Sequence, residues 1–259
     1  REKSAQLFDG TSSERELLQE NQIRGLIHCH SNWSDGSNEL EEMAQECMKR
    51  NWEYMVITDH SASAFYANGL SAERVAAQHQ QIDILNKRYA PFRIFKSIES
   101  DILSDGSLDY EEAVLSSFDL IIASVHSNLR MSKEKATERL LRAIENPFTT
   151  ILGHPTGRLL LSRAGYPIDH EKIIDACAAN QVVIEINAHP RRLDLDWTWV
   201  DHALDKGVLL SINPDAHQLE GFNDIRYGIL VAQKTKLNAS QNLSSFSCKQ
   251  LENWLKKRK

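Results

Sequence analysis

Long apolar runs are missing from this chain, and no stretch approaches the roughly 18 apolar residues that a membrane-spanning helix requires. Cysteine is scarce and unpatterned. Cys29, Cys47, Cys177 and Cys248 form no C-x-x-C pair and no framework spacing, which argues against a disulfide scaffold and for a reducing, cytoplasmic compartment. There is no internal repeat and no low-complexity tract. The chain opens Arg1-Glu2-Lys3-Ser4, without a secretory signal or an initiator methionine, as expected of a processed chain or a piece of a longer one. Positive charge is also short: 30 Lys and Arg against 36 Asp and Glu leave a net charge of −6. That balance opposes non-specific binding to long nucleic acid but not local recognition of a strand end. The basic tail over 254–259 reads as a solvated helix end in preference to a nucleic-acid arm. With 259 residues, 41% of them hydrophobic, the chain suits a single α/β domain with a substantial core.

What the chain does have is histidine in a pattern. Leu26-Ile27-His28-Cys29-His30 is an apolar run ending in His-x-His, and Asp35 follows five residues after the second histidine. Side chains two apart on a strand share a face, so His28 and His30 are expected to project together with Cys29 turned away. Two imidazoles in an apolar interior need something on their lone pairs, and a metal ion serves well.

The same grammar recurs. Apolar, β-branched runs over 55–60, 93–99, 120–126, 150–154 and 208–217 stop at His60, Glu99, His126, His154 and Asp215 with His217. A further run over 182–189 reaches His189 with a less certain end. Between the runs, 39–50, 72–89, 133–146, 170–180 and 197–206 carry apolar residues at helical spacing. Strands alternating with helices predict βα units on a parallel sheet, and seven polar-ended strands predict a barrel with its site at the strands' carboxyl ends.

Six histidines at run ends (28, 30, 60, 126, 154 and 217), joined by Asp35, Glu99 and Asp215, make nine candidate ligands. Imidazoles mixed with carboxylates suit Zn, Mn or Fe better than Mg or Ca. Nine exceed the needs of one ion, so two or three divalent ions are expected, with a carboxylate such as Glu99 bridging a pair. Closely spaced ions suit phosphoester hydrolysis, because they activate water and clamp attacking and leaving oxygens. Arg158, four residues after His154, together with Arg191 and Arg192, offers phosphate contacts; each also reads as a surface ion-pair partner, Arg192 at least evenly. His189 reads as a contact to substrate or to a ligand. His79, His170 and His202 lie in helical segments and are expected to be exposed.

Taken together, the runs resemble the PHP (polymerase and histidinol phosphatase) family, and most nearly the PHP domain at the C-terminus of bacterial family X DNA polymerases. The resemblance rests on Ile23-Arg24-Gly25, His28-Cys29-His30, Trp33-Ser34-Asp35-Gly36, Ile57-Thr58-Asp59-His60-Ser61, Ile98-Glu99, Asp101-Ile102-Leu103 and Asp105-Gly106-Ser107-Leu108-Asp109. It continues through Ala123-Ser124-Val125-His126-Ser127, Gly153-His154-Pro155-Thr156-Gly157-Arg158, Glu185-Ile186-Asn187, Asp215-Ala216-His217 and Arg226-Tyr227-Gly228. It implies a PHP domain over 22–259 after an N-terminal extension over 1–21, folded as a distorted (β/α)7 barrel around three divalent ions, Mn or Zn, with Fe as a further candidate. Carried onto this chain, His28, His30, Glu99 and Asp215 would hold one ion. Glu99 would bridge to a second, held by His126 and His154, and Asp35, His60 and His217 would hold the third. Asp59 would orient neighbouring ligands or water. Two positions depart from the family's usual pattern, Ser97 for Gly and Pro214 for Thr, and both are expected to reshape the rim. Polymerase and helix-hairpin-helix portions would precede a domain of this kind.

The activity the resemblance implies is a 3′–5′ exonuclease or phosphodiesterase acting on DNA 3′ ends, in DNA repair. The alternative is a small-molecule phosphomonoesterase resembling histidinol phosphatases, which the acidic charge favours. A non-catalytic interaction domain is the third reading, and all nine ligand positions being kept speaks against it.

Overall fold

Each apolar run becomes a short parallel strand, and the helical segments return the chain to the start of the next. The structure is a computed structural model that describes residues 17–258; most of the expected N-terminal extension, with the abrupt start, and Lys259 of the basic tail lie outside the described residues. The strands are β1 (Gly25–Ile27), β2 (Tyr54–Ile57), β3 (Arg93–Lys96), β4 (Glu99–Asp101), β5 (Ile122–Ser124), β6 (Ile151–Leu152), β7 (Val183–Asn187) and β8 (Leu210–Asn213). The helices are α1 (Leu40–Lys49), α2 (Ala72–Tyr89), α3 (Glu112–Leu115), α4 (Lys133–Glu145), α5 (His170–Asn180), α6 (Trp197–Asp205), α7 (Ile225–Ala232) and α8 (Cys248–Arg258). Side-chain caps fix several starts: Ser71, Ser132, Asp169 and Asp196 accept backbone N–H groups at the heads of α2, α4, α5 and α6.

Two arcs of parallel strands form, β1-β2-β3 and β4-β5-β6-β7-β8. Single bridges stitch them together, His60 to Glu99 at one seam and Cys29 to Ala216 at the other. The run over 93–99 is thus one barrel strand broken at Ser97-Ile98, and counting it once gives a distorted (β/α)7 barrel with α1 to α7 after successive strands.

Strand parity separates two cores. Leu26, Met55, Ile94, Ala123, Leu152, Ile184 and Ile212 face outward into the layer shared with the helices. Ile27, Val56, Phe95, Ile122, Ile151 and Val183 face inward and pack on Leu251 and Leu255 of α8, which stoppers the barrel's lower end. Two residues further along come small or polar groups, Ser97, Ser124, Gly153, Glu185 and Ser211, and the next step reaches the candidate site. The tail is accordingly less solvated than expected, since Arg258 donates to the carbonyl of Gln181 at 3.0 Å and to that of Thr149. Ser97 and Pro214 are both buried, so neither side chain lies on the exposed rim. His79 is buried edge-on against Phe118, with ring centroids 5.1 Å apart, and His170 stacks on Trp199 at 4.5 Å; exposure was the wrong expectation for both. Among the described residues no helix is long and apolar enough to cross a membrane.

Candidate metal centre

The nine candidate ligands converge at the carboxyl ends of the strands. Glu99, at the head of β4 just past the break, lies at their centre. Its Oε1 sits 2.9 Å from His154 Nε2, 3.2 Å from His126 Nε2 and 3.3 Å from His28 Nε2, while Oε2 sits 3.1 Å from His60 Nδ1 and 3.6 Å from His30 Nε2. Asp215 Oδ1 lies 3.2 Å from His30 Nε2 and 3.5 Å from His28 Nε2. Asp35, a third exposed, stands 3.7 Å from His60 Nε2 and 3.5 Å from His217 Nε2. Three groups offer ligand atoms within 4.8 Å of one another: His28, His30 and Asp215; His60, Glu99 and His126; and His30, Asp35, His60 and His217.

His28 and His30 do project together, 5.3 Å between ring centroids, but not by strand alternation. β1 ends at Ile27, which points inward, so a regular strand would send His28 outward. A left-handed backbone at His28, φ 66°, resets the parity and turns it inward, leaving Cys29 buried behind. Asp215 is left-handed too, at φ 53°. Non-glycine residues held in that region cost free energy and cluster at functional sites.

A buried frame aims the ligands. Glu185 of β7 takes His28 Nδ1 at 2.5 Å, and accepts from Asn187, Asn213 and the backbone N–H of His154. Asp101 takes His126 Nδ1 at 2.5 Å. Carboxylates on the far nitrogen fix an imidazole's tautomer and present its other nitrogen to an ion. Neither Glu185 nor Asp101 ends an apolar run as the candidate ligands do; parity with Asn187 marks Glu185 as inward, and two-residue spacing from Glu99 marks Asp101. Asp59 accepts from Ser31, Ser34 and Gln78, and so ties down the loop that carries Asp35.

The electrostatics are those of an interior arranged around cations. Burial lowers His30 to about 4 and His60 to about 3, so both rings are neutral at pH 7. Burial also pulls on His126, but Glu99 and Asp101 push it up to about 10. His28 is likewise raised, with Glu185, Asp215 and Glu99 outweighing burial. Burial disfavours charge on Glu99 and Asp215, yet the surrounding imidazoles hold both well below the usual carboxylate range, helped at Asp215 by Arg192. His28 Nε2, His30 Nε2, His126 Nε2 and Glu99 Oε2 are all buried without a hydrogen-bond partner. Such unpartnered buried polar atoms are costly unless a cation sits among them in place of their protons, so the residues fit a cluster of divalent ions.

The arginines fall otherwise than expected. Arg158 turns from the cluster to pair with Asp196 at 2.7 Å, and donates to the carbonyls of Arg192 and Leu193. Arg192 is the arginine that reaches a candidate ligand, with its Nε 3.2 Å from Asp215 Oδ2. His189 stands half-buried beside the cluster, its Nδ1 accepting from the backbone of Arg191, which leaves the proton on Nε2. Tyr66 lies over the mouth, its ring 6.2 Å from that of His60.

The chain is 42% identical over 254 residues to the DNA polymerase/3′-5′ exonuclease PolX of Bacillus subtilis, a match covering 98% of this chain but 45% of that relative, so the chain spans less than half its length. It is 27% identical over 194 residues to a probable phosphatase of Thermoanaerobacter, covering 69% of this chain and 72% of the relative. Among solved structures, a putative histidinol phosphatase of Listeria monocytogenes superposes with a TM-score of 0.61 at 13% identity, over 76% of this chain and 96% of that one. The histidinol phosphate phosphatase of Lactococcus lactis, solved with zinc, L-histidinol and phosphate, superposes with a TM-score of 0.54 at 17% identity, over 81% and 94%. The PHP domain pattern itself matches residues 27–189, and the chain belongs to the PHP family.

Proposed function

We propose that this chain is a metal-dependent phosphoesterase whose substrate is the 3′ end of a DNA strand, from which it removes nucleotides in the 3′–5′ direction. The observation that carries the reading is Glu99, a buried carboxylate ringed by five imidazoles whose nitrogens mostly lack hydrogen-bond partners. The preference for DNA is supported by the 42% identity to a relative named as an exonuclease. His28, His30, Glu99 and Asp215 would hold one ion, Glu99 with His126 and His154 a second, and Asp35, His60 and His217 a third. When bound, Mn or Zn ions (or Fe) would supply an activated water and neutralise charge growing on the phosphoryl oxygens.

The chain's own groups do the rest. Glu185 and Asp101 hold His28 and His126 in the orientation that bares Nε2. Arg192, already paired with Asp215, has further guanidinium donors for a substrate phosphate. His189, whose Nε2 carries the proton, stands where it can donate a hydrogen bond to the departing oxygen. Arg158 braces the 192–196 loop and so places Arg192. The four cysteines are free, as a protein of the reducing cytoplasm would have them.

The test is a paired assay of Mn-loaded protein with an Asp215→Ala control. One arm offers 5′-labelled DNA with a recessed 3′ end, the other a panel of phosphomonoesters. A ladder of shortened DNA that disappears in the variant is the expected result. Phosphate release from monoesters alone would move the chain to the small-molecule phosphatases, a reading favoured by the net charge of −6 and by the probable phosphatase among its relatives.

A further inference from the structure

Immediately after His60 the chain forms a short 3-10 turn, Phe65–Ala67, that leaves two aromatic rings in water. Phe65 is 88% exposed and Tyr66 72%. The loop beneath them is rigidly held. Ser61 bridges Leu70, the N–H of Leu70 donates to the carbonyl of His60 at 2.8 Å, and that of Gly69 donates to Ala64 at 3.1 Å. A Cβ on Gly69 would stand 1.9 Å from the carbonyl oxygen of Ser61, so only glycine closes the turn. Ser63 is bound by the carboxylates of Asp101 and Asp109, and the Asn68 amide donates to the carbonyls of Trp33 and Ser34. The loop is therefore tied to Asp101, the residue that aims His126, and to the segment that carries Asp35.

Exposed aromatics on a flexible loop would be unremarkable; a braced loop that holds the Tyr66 ring 6.2 Å from that of His60, with exposed Phe65 beside it in the chain, is a preformed surface. A phosphomonoester without a ring has no use for an exposed π-face. A nucleotide does, because every base has a flat face that stacks on an aromatic ring whatever its sequence. With the scissile phosphate at the cluster, the base it carries lies one sugar away, on the scale of the gap between His60 and Tyr66. We propose that Phe65 and Tyr66 form the platform on which the base of the 3′-terminal nucleotide stacks. This rests on the reading of the chain as acting on DNA ends, and adds that the terminal base is gripped by its face, without sequence preference.

The experiment is stopped-flow fluorescence of the Zn-loaded protein, zinc being diamagnetic. The probe is a single-stranded oligothymidylate ending in 2-aminopurine, whose emission falls on stacking and rises when the nucleotide is released. A rapid fall followed by a slower rise is expected. In the Phe65→Ala, Tyr66→Ala double variant the fall should vanish and KM should increase roughly tenfold. Both positions are exposed, so loss of folding does not cloud the comparison. A rise without a preceding fall, or a fall that survives in the double variant, overturns the platform while leaving the DNA-end reading intact. A second copy of this chain or another domain covering the rings would give that pattern. A fall without a rise keeps the platform and removes hydrolysis by the zinc-loaded form. Emission unchanged throughout removes DNA ends as the substrate, and the platform with them.

Discussion

At the scale of single residues, chemistry was more legible than orientation. Residue type and two-residue spacing pick out His28, His30, Glu99, His126, His154 and Asp215, because an apolar run has few other reasons to stop repeatedly at imidazole or carboxylate. Which arginine faces the cluster is a different matter. Arg158 and Arg192 both follow strand ends, and the choice depends on a loop whose path the sequence does not state. The structure gives Arg158 to Asp196 and Arg192 to Asp215. Arg192→Ala should therefore lower kcat/KM for a phosphoester by about 10- to 100-fold, as for loss of a charge-assisted phosphate contact of about 1.5–3 kcal/mol, with a fall in melting temperature confined to the ion-free protein, where Asp215 loses its partner. Arg158→Ala should instead cost about 1–2 kcal/mol of stability, read from urea melts, since three hydrogen bonds to the 192–196 loop are lost. Reversal of the two phenotypes would return the phosphate contact to Arg158.

The titrating residues give a second prediction at this scale. In the ion-free protein His126 is raised to about 10 from an ordinary 6.5, so its stabilising effect is complete below 6.5 and is lost as pH rises through 10. His30 and His60 are depressed to about 4 and about 3, so the unfolded chain binds their protons more readily and stability is lost as pH falls below 6.5. Thermal melts of ion-free protein should thus show a maximum near pH 6.5, with stability falling toward pH 10 as the His126 contribution is lost and falling below pH 6.5 as protons bind the unfolded chain at His30 and His60. Ion binding at pH 7 must displace protons from His28 and His126, so calorimetry in buffers of different ionisation enthalpy should register proton release. No release would mean that these two rings are already neutral.

At the scale of elements, period and composition were sufficient to locate most of the helices and all the strands. α2 and α5 run over 72–89 and 170–180, as their periodicity predicts, because each carries an apolar stripe and a side-chain cap. Strand ends were less legible. β6 keeps only Ile151–Leu152 of its run, and β1 stops before the histidines, since ligand-bearing backbone leaves the ladder to aim its side chains. Of α8 only the basic end over 254–259 was legible, because its buried residues, Leu251 and Leu255, form only a narrow stripe in a strongly charged segment. Close backbone approach is invisible in the sequence as well. A Cβ on Gly36 would lie 2.0 Å from the carbonyl oxygen of His30, so the turn that presents Asp35 closes only with glycine. Gly36→Ala should cost about 1–3 kcal/mol, as overpacking against backbone does. It should also weaken ion binding at the Asp35, His60 and His217 group, and equilibrium dialysis that found full metal content would show that the turn relaxes without moving Asp35.

At the scale of the whole molecule, the candidate centre does something the apolar cores do not. The two strand arcs meet only through single bridges at their seams, and the ligands are drawn from both sides. His28, His30, Asp35 and His60 follow β1 and β2, whereas Glu99, His126, His154, Asp215 and His217 belong to β4 through β8 and the loops after them. Ions held among them would tie arc to arc where hydrogen bonding is thinnest. Below, the inward-facing apolar layer sealed by α8 joins residues of both arcs without any ligand. Chelation should therefore lower the melting temperature without unfolding the barrel. A ligand at a thousand times its dissociation constant contributes about 4 kcal/mol, worth roughly 10 °C in a domain of this size. Differential scanning calorimetry with and without chelator, paired with far-UV circular dichroism at 25 °C, reads both quantities. A fall in melting temperature with an unaltered spectrum is the expected result. Collapse of the spectrum would show that the two arcs cannot hold together on the apolar plug alone, and an unmoved melting temperature would show that ions do not bridge them.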